Sequence, residues 1–197
     1  MISEANNLRT KINRNYVPRQ KKGGSVSSFE VAEHAPVTSA LYNSPELITL
    51  LSTITREKLL VCPASDPHRS ALYYYTEQGD HIGYHFDTSF YKGKRYTVLI
   101  GLVERSTSRL VCQLYKNDRT RETEELRVAT TPGTIVIFNG DKLWHSVTPL
   151  GAGEERVVLT LQYVTDQRMG AVQRIVSDVK DAVAYFGIKS LFRSRRG

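Results

Sequence analysis

Between residues 71 and 164 the chain is cut into eight short runs of β-branched, aromatic and aliphatic residues, separated by Gly, Asp and Asn. The runs are 71–76, 82–87, 96–103, 109–115, 125–129, 134–138, 145–148 and 157–164. Each has the length of a strand. Asn117-Asp118 and Pro132-Gly133 supply turn chemistry between them. Eight strands in fewer than 100 residues predict a mainly β fold, a sandwich or barrel-like roll with flanking helices.

One flanking helix is announced by Asn43-Ser44-Pro45-Glu46. Ser44 suits the N-cap, Pro45 the first helical position and Glu46 the positive helix end. Leu47, Leu50, Leu51 and Ile54 follow at helical spacing, and the helix is expected to end near residues 56–60. A second is predicted after Asp166, where Val172, Ile175, Val176, Val179, Ala182, Val183 and Phe186 share one face and Gly187 offers a C-cap. It reads as a helix packed on the outside of the roll, with a membrane-surface or partner-binding helix as the sharper alternative.

Residues 1–28 show no apolar periodicity and run into Lys21-Lys22-Gly23-Gly24-Ser25, which predicts a mobile basic arm. The domain scheme is therefore an arm (1–28), a main folded domain (29–167) and a C-terminal helix with a basic tail (168–197). The net charge of +7 lies in the two ends, leaving a body close to neutral. A nucleic-acid partner is not expected, because such a partner calls for a basic face on the folded body. No apolar run approaches the roughly 20 residues that span a bilayer. The first residues have no apolar secretory region, and two cysteines, Cys62 and Cys112, exclude a disulfide scaffold. These features predict a cytoplasmic chain and leave its oligomeric state open.

The chemistry-bearing residues are few. His85-Phe86-Asp87 closes the run 82–87. Alternate residues of a strand share a face, so the imidazole and the carboxylate project together while Phe86 turns away. His145 comes after the run 134–138 and the polar turn Asn139-Gly140-Asp141. Two imidazoles and one carboxylate are the donor set of the facial triad that leaves open positions on non-haem iron(II). A three-ligand zinc site takes the same residue types. Arg156 opens the strand Val157–Leu161, where its fork can hold a carboxylate by two parallel hydrogen bonds. A surface ion pair is the other reading of Arg156.

The combined order resembles the iron(II)/2-oxoglutarate-dependent dioxygenase superfamily, whose fold is a double-stranded β-helix, or jelly roll. The segments Gly83–Asp87 and Pro132–Pro149, with Arg156, carry the resemblance over roughly residues 40–165. It implies His85, Asp87 and His145 as iron ligands and Arg156 as the partner of the distal carboxylate of 2-oxoglutarate. Tyr75, ten residues before His85, would contact the co-substrate, unless Tyr73-Tyr74-Tyr75 are packing aromatics. Thr148 is a further candidate for co-substrate binding, and Asn139 for orienting His145 or the co-substrate. A turn role is the alternative for both. GDHIGYHFDTSFY, YTVLIGL and PGTIVIFNGDKLWHSVTPL are similar to the branch of amino-acid halogenases and their hydroxylating relatives. In the halogenases a small residue replaces the ligand carboxylate. Asp87 is kept here, which points to oxygenation. The nucleic-acid demethylase branch has a second arginine six residues after the first, where this chain has Gln162.

The resemblance implies an enzyme that uses Fe(II), 2-oxoglutarate and O2 to hydroxylate an unactivated C–H bond of a small-molecule substrate, a free amino acid or an amine-bearing metabolite. A peptidyl hydroxylase and a non-catalytic jelly-roll binding module are the alternatives. A loop is expected to cover the site, either 88–94 or Ser106–Ser108.

Overall fold

The computed structural model describes residues 1–87, 89 and 91–168. The helix predicted beyond Asp166 lies outside the described residues. The eight strand-like runs become β4 (Ser70–Tyr75), β5 (His81–His85), β6 (Arg95–Arg105), β7 (Leu110–Leu114), β8 (Glu124–Val128), β9 (Ile135–Asn139), β10 (Trp144–Val147) and β11 (Glu155–Val164). Before them come α1 (Ile2–Asn7), a 3-10 turn (Leu8–Lys11), β1 (Asn13–Val17), β2 (Lys21–Val26), α2 (Ser28–His34), α3 (Pro36–Tyr42), α4 (Pro45–Thr55) and β3 (Leu60–Val61). The helix announced by Ser44-Pro45 is α4. The Ser44 side chain accepts the Leu47 N–H, and Arg56 ends the helix in the left-handed region at φ 56°.

The main strand order is β8-β7-β10-β5-β2-β4-β11-β6-β9, antiparallel throughout. The sheet curls back on itself. The Asp87 N–H, just past β5, donates to Gly140 O at 2.9 Å, and the Gly140 N–H donates to Arg95 O at 2.9 Å. The β5 end thus meets the β6–β9 end, although the two are far apart in strand order. The architecture is the predicted double-stranded β-helix with flanking helices.

Alternation along β11 divides the interior. Val157, Leu159, Leu161 and Tyr163 join Leu72, Tyr74, Val98 and Ile100 in a core under the helices, with Val31, Tyr42 and Leu51. Arg156, Val158, Thr160 and Gln162 face the other way. There Val158 packs with Tyr75, Ile82, Leu99, Leu110, Cys112, Phe138 and Val147 in the second core, inside the roll.

The mobile arm expected at residues 1–28 is instead part of the folded body. β2 lies between β5 and β4, and most of it is buried. Gly23-Gly24 is a close-packing device there: a Cβ on Gly24 would lie 2.5 Å from Ile12 Cγ2. Several basic residues of the segment are engaged by acids of the body. Arg9 pairs with Glu155, Arg14 with Asp80 and Glu77, and Lys11 with Glu30. Lys21 is only 3% exposed, and burial pushes its ammonium down to about 7.

Gly101 marks where the chain after β8 crosses β6. A Cβ there would lie 2.1 Å from Thr130 O and 2.3 Å from Thr131 O. Gly101→Ala is expected to cost about 1–3 kcal/mol through this overlap, read as a lower denaturation midpoint. An unchanged midpoint would show that the crossing yields freely.

Candidate metal centre

His85 reaches the inside of the roll through a β-bulge. His145 pairs with His85, but Val147 pairs with Ile82, so two residues of β5, Gly83 and Tyr84, oppose the single Ser146 of β10. The extra residue lets both Ile82 and His85 face inward. Phe86 turns out and packs 4.7 Å from the Trp144 ring, on which Tyr84 stacks at 6.2 Å. The sequence expectation that residue 86 faces away from its neighbours therefore holds.

The three predicted side chains meet. One donor atom from each of His85, Asp87 and His145 lies within 4.8 Å of the others. Asp87 Oδ1 is 3.4 Å from His85 Nε2 and 3.7 Å from His145 Nε2. His85 Nδ1 lies 2.9 Å from Gly83 O, and His145 Nδ1 lies 2.9 Å from Leu143 O. A carbonyl only accepts, so each Nδ1 carries the proton and donates it. Both Nε2 lone pairs are thereby turned toward the carboxylate.

The electrostatics suit a cation. Burial by itself would raise the Asp87 carboxyl. The His85 imidazole, and the positive charge that His145 and His85 carry when protonated, together with the Thr97 hydroxyl, outweigh it and hold Asp87 well below the usual carboxylate range. Burial lowers the His145 imidazole, favouring the neutral ligating form, with Asp87 opposing. Two imidazoles and one ionised carboxylate fit a divalent first-row metal such as iron. Among the described residues, the other acid–histidine group is Glu30, Glu33 and His34 on α2, more exposed and already occupied by Lys11.

Arg156 is buried, at 1% exposure, which removes the surface ion-pair reading. Its Nε donates to Thr130 Oγ1 at 2.9 Å and lies 3.4 Å from Glu104 Oε2, and its Cζ sits 5.0 Å from the Tyr75 ring centre. The Thr130 hydroxyl in turn donates to Glu104 at 3.1 Å. Arg156 and Tyr75 are adjacent partners on β11 and β4. Both face the inner core that reaches His145 through Phe138, whose ring is 4.7 Å from the imidazole.

Thr148 does not join them. His145 and Val147 face inward, so Thr148 falls on the opposite face, where its hydroxyl accepts the Arg109 N–H at 2.8 Å. The Asn139 side chain accepts the Asp141 N–H at 3.1 Å, a turn role. Of the two covering segments, Ser106–Ser108 is pinned: the Ser108 hydroxyl donates to Thr148 O, and Ser106 bonds Glu104. In 88–94, the Ser89 N–H donates to Asp141 and the Tyr91 hydroxyl to Asp66, while Thr88 and Phe90 lie outside the described residues.

Sequence reasoning missed Glu104, Thr130, Thr97 and Gly140. Only Gly140 carried a signal, in its Asn-Gly-Asp turn. A Cβ on Gly140 would lie 2.8 Å from Asp87 Cβ and 3.0 Å from Oδ2. Gly140→Ala is therefore expected to displace the carboxylate and weaken Co(II) binding by about 10–100-fold, measured by chelator competition. Wild-type affinity in that variant would show that Asp87 is not held by this contact.

The Halogenase D family pattern matches residues 3–92, a span that includes His85 and Asp87 and reaches into the segment read from sequence as an arm. No curated protein matches the chain. Among solved structures, the chain is similar to the non-haem alpha-ketoglutarate-dependent epimerase SnoN from nogalamycin biosynthesis, with TM-score 0.64 and 14% identity over 82% of this chain and 70% of that one. It is similar to the carbocyclase SnoK of the same biosynthesis, with TM-score 0.65 and 13% identity over 98% and 79%. It is also similar to a Pseudomonas putida prolyl-4-hydroxylase, with TM-score 0.59 and 16% identity over 85% and 86%. With two histidines and a carboxylate converging inside a curled antiparallel roll, the chain resembles the iron(II)/2-oxoglutarate oxygenases in fold and their halogenase-like branch in its N-terminal sequence.

Proposed function

We propose that this protein is an iron(II)/2-oxoglutarate-dependent oxygenase that hydroxylates an unactivated C–H bond of a small molecule, such as a free amino acid or an amine-bearing metabolite. The observation that carries this reading is the convergence of both Nε2 atoms on one Asp87 oxygen, each imidazole turned by its own backbone carbonyl.

His85, Asp87 and His145 would hold the metal and leave positions open for co-substrate and O2. Bound there, the metal supplies oxidative chemistry driven by decarboxylation of 2-oxoglutarate. The remaining work falls to the chain. Arg156, with its Nε side on Thr130 and Glu104, would offer its outer nitrogens to the distal carboxylate of 2-oxoglutarate, and Tyr75 beside it would add a hydroxyl. Leu99, Phe138, Val147 and Val158 line the interior with apolar surface and exclude water from it. Asp87 fills the place where a halide would need to bind, so oxygen transfer is favoured over chlorination.

The resemblance to SnoN and SnoK, named for nogalamycin biosynthesis, supports a small-molecule substrate. The likeness to a prolyl-4-hydroxylase supports a peptide as the second choice. The test incubates the iron-loaded protein with 2-oxoglutarate and a broad pool of metabolites and peptides, and follows succinate release and mass. Succinate release coupled to the gain of one oxygen on a free metabolite is the expected result. The same gain on a peptide would move the assignment to the second choice. Iron binding with no decarboxylation across the pool would overturn the enzyme reading in favour of a binding module.

A further inference from the structure

The two oxygens of Asp87 have different surroundings. Oδ1 faces both histidines. Oδ2 accepts the Thr97 hydroxyl at 2.5 Å. Thr97 lies on β6, opposite β5 in the roll, and is 2% exposed.

Thr97 borders a buried polar cluster. Its Oγ1 lies 3.0 Å from Gln162 Oε1, and that oxygen accepts Arg95 Nε–H at 3.0 Å. A guanidinium only donates, so Gln162 presents its carbonyl oxygen, and the orientation of the amide is fixed. The Arg95 guanidinium is buried and lies 3.6 Å from Asp66 Oδ2, which accepts the Tyr91 hydroxyl at 2.8 Å. The Thr97 hydroxyl has a single proton. The carboxylate is the closer and stronger acceptor, so the proton goes to Asp87. Gln162, which from sequence marked only the absence of an arginine, thus has a place in the site.

A buried charge-assisted bond takes one lone pair of the second oxygen and fixes the rotation of the carboxylate, so a turn toward symmetric coordination has to move Oδ2 against that bond. We propose that Thr97, by donating its one hydroxyl proton to Oδ2, is a positioning residue that restricts Asp87 to coordination through Oδ1 alone. This rests on the metal-binding reading above and deepens it. A carboxylate bound through both oxygens would occupy one of the positions that the co-substrate and O2 need. Tyr91, four residues after Asp87, donates its hydroxyl to Asp66 in the same polar cluster.

The test uses the full chain with Co(II), whose visible absorption reports coordination number without redox chemistry. Three variants bracket the hydroxyl. Thr97→Ser keeps it, Thr97→Val keeps the shape without it, and Thr97→Cys substitutes a weak donor. Wild type and Thr97→Ser are expected to give the same spectrum and the same response to added 2-oxoglutarate. Thr97→Val is expected to shift the spectrum toward higher coordination and to weaken 2-oxoglutarate binding to the Co(II) protein by about 10-fold or more. Thr97→Cys should fall between, and it decides the matter if Thr97→Val does not fold. A wild-type spectrum and wild-type 2-oxoglutarate affinity in Thr97→Val, or in Thr97→Cys where that variant decides, overturns the role of Thr97. A wild-type chain that takes up no Co(II) overturns the metal centre itself.

Discussion

Asp87→Ala is expected to abolish substrate oxidation and to weaken Co(II) or Fe(II) binding by more than about 100-fold, because it removes the one anionic donor among the three groups. Its effect on the apo fold is expected to be small. Asp87 donates its backbone N–H to Gly140, and alanine keeps that bond. The bonds lost with the side chain, to His85 and Thr97, are partly offset by removal of a buried charge. The measurement is metal affinity by chelator competition beside the melting temperature of the metal-free protein. Full metal affinity in Asp87→Ala would remove the carboxylate from the centre. A collapsed melting temperature would instead assign it a structural role.

The second large effect is expected at Arg156, where the surroundings decide which variant is informative. Arg156→Ala would leave Glu104, whose side chain is 4% exposed, without its cation. Breaking a buried pair costs about 3–5 kcal/mol, so loss of fold and loss of co-substrate binding would be mixed in one result. Arg156→Lys keeps the charge beside Glu104 but removes the fork that grips a carboxylate with two parallel bonds. It is expected to raise the 2-oxoglutarate concentration needed for half-maximal turnover by about 10-fold or more while metal affinity stays as in wild type. Arg156→Met paired with Glu104→Gln removes both charges together. That pair is expected to fold and to raise the requirement further, by about 100-fold. An unchanged co-substrate requirement in both would take Arg156 out of the site.

Much of the centre was legible because its signals are local. His85 and Asp87 are two residues apart, and His145 follows a recognisable strand and turn. Even so, strand alternation is only part of how His85 and Ile82 come to share the interior. The bulge opposite β10 does that, and a bulge depends on the partner strand. Arg156 was identified, but as a choice between a buried anchor and a surface ion pair. Its burial against Glu104 and Thr130 brings residues 104, 130 and 156 together from three separate segments. Thr148 was misplaced because nearness to His145 along the chain was taken for nearness in space, while the pleat puts its hydroxyl on the other face.

The amino-acid sequence alone was sufficient for the eight strands β4–β11 and the helix α4 with its Ser44 cap, and, through the resemblance it carries, for the two histidines and the carboxylate that meet inside the roll. Each is written in short-range spacing, in turn residues or in a cap. Tertiary structure decided the rest. It put Lys21–Val26 in the middle of the sheet although that segment is basic and glycine-rich, because glycine admits close packing that no local pattern reveals. It also joined Thr97, Gln162, Arg95 and Asp66 into one buried polar cluster behind Asp87. Those four side chains come from β6, β11 and the loop before β4. Only the curling of the sheet brings them within hydrogen-bond reach, and contacts made by closure of a fold leave no periodicity in the chain that makes them.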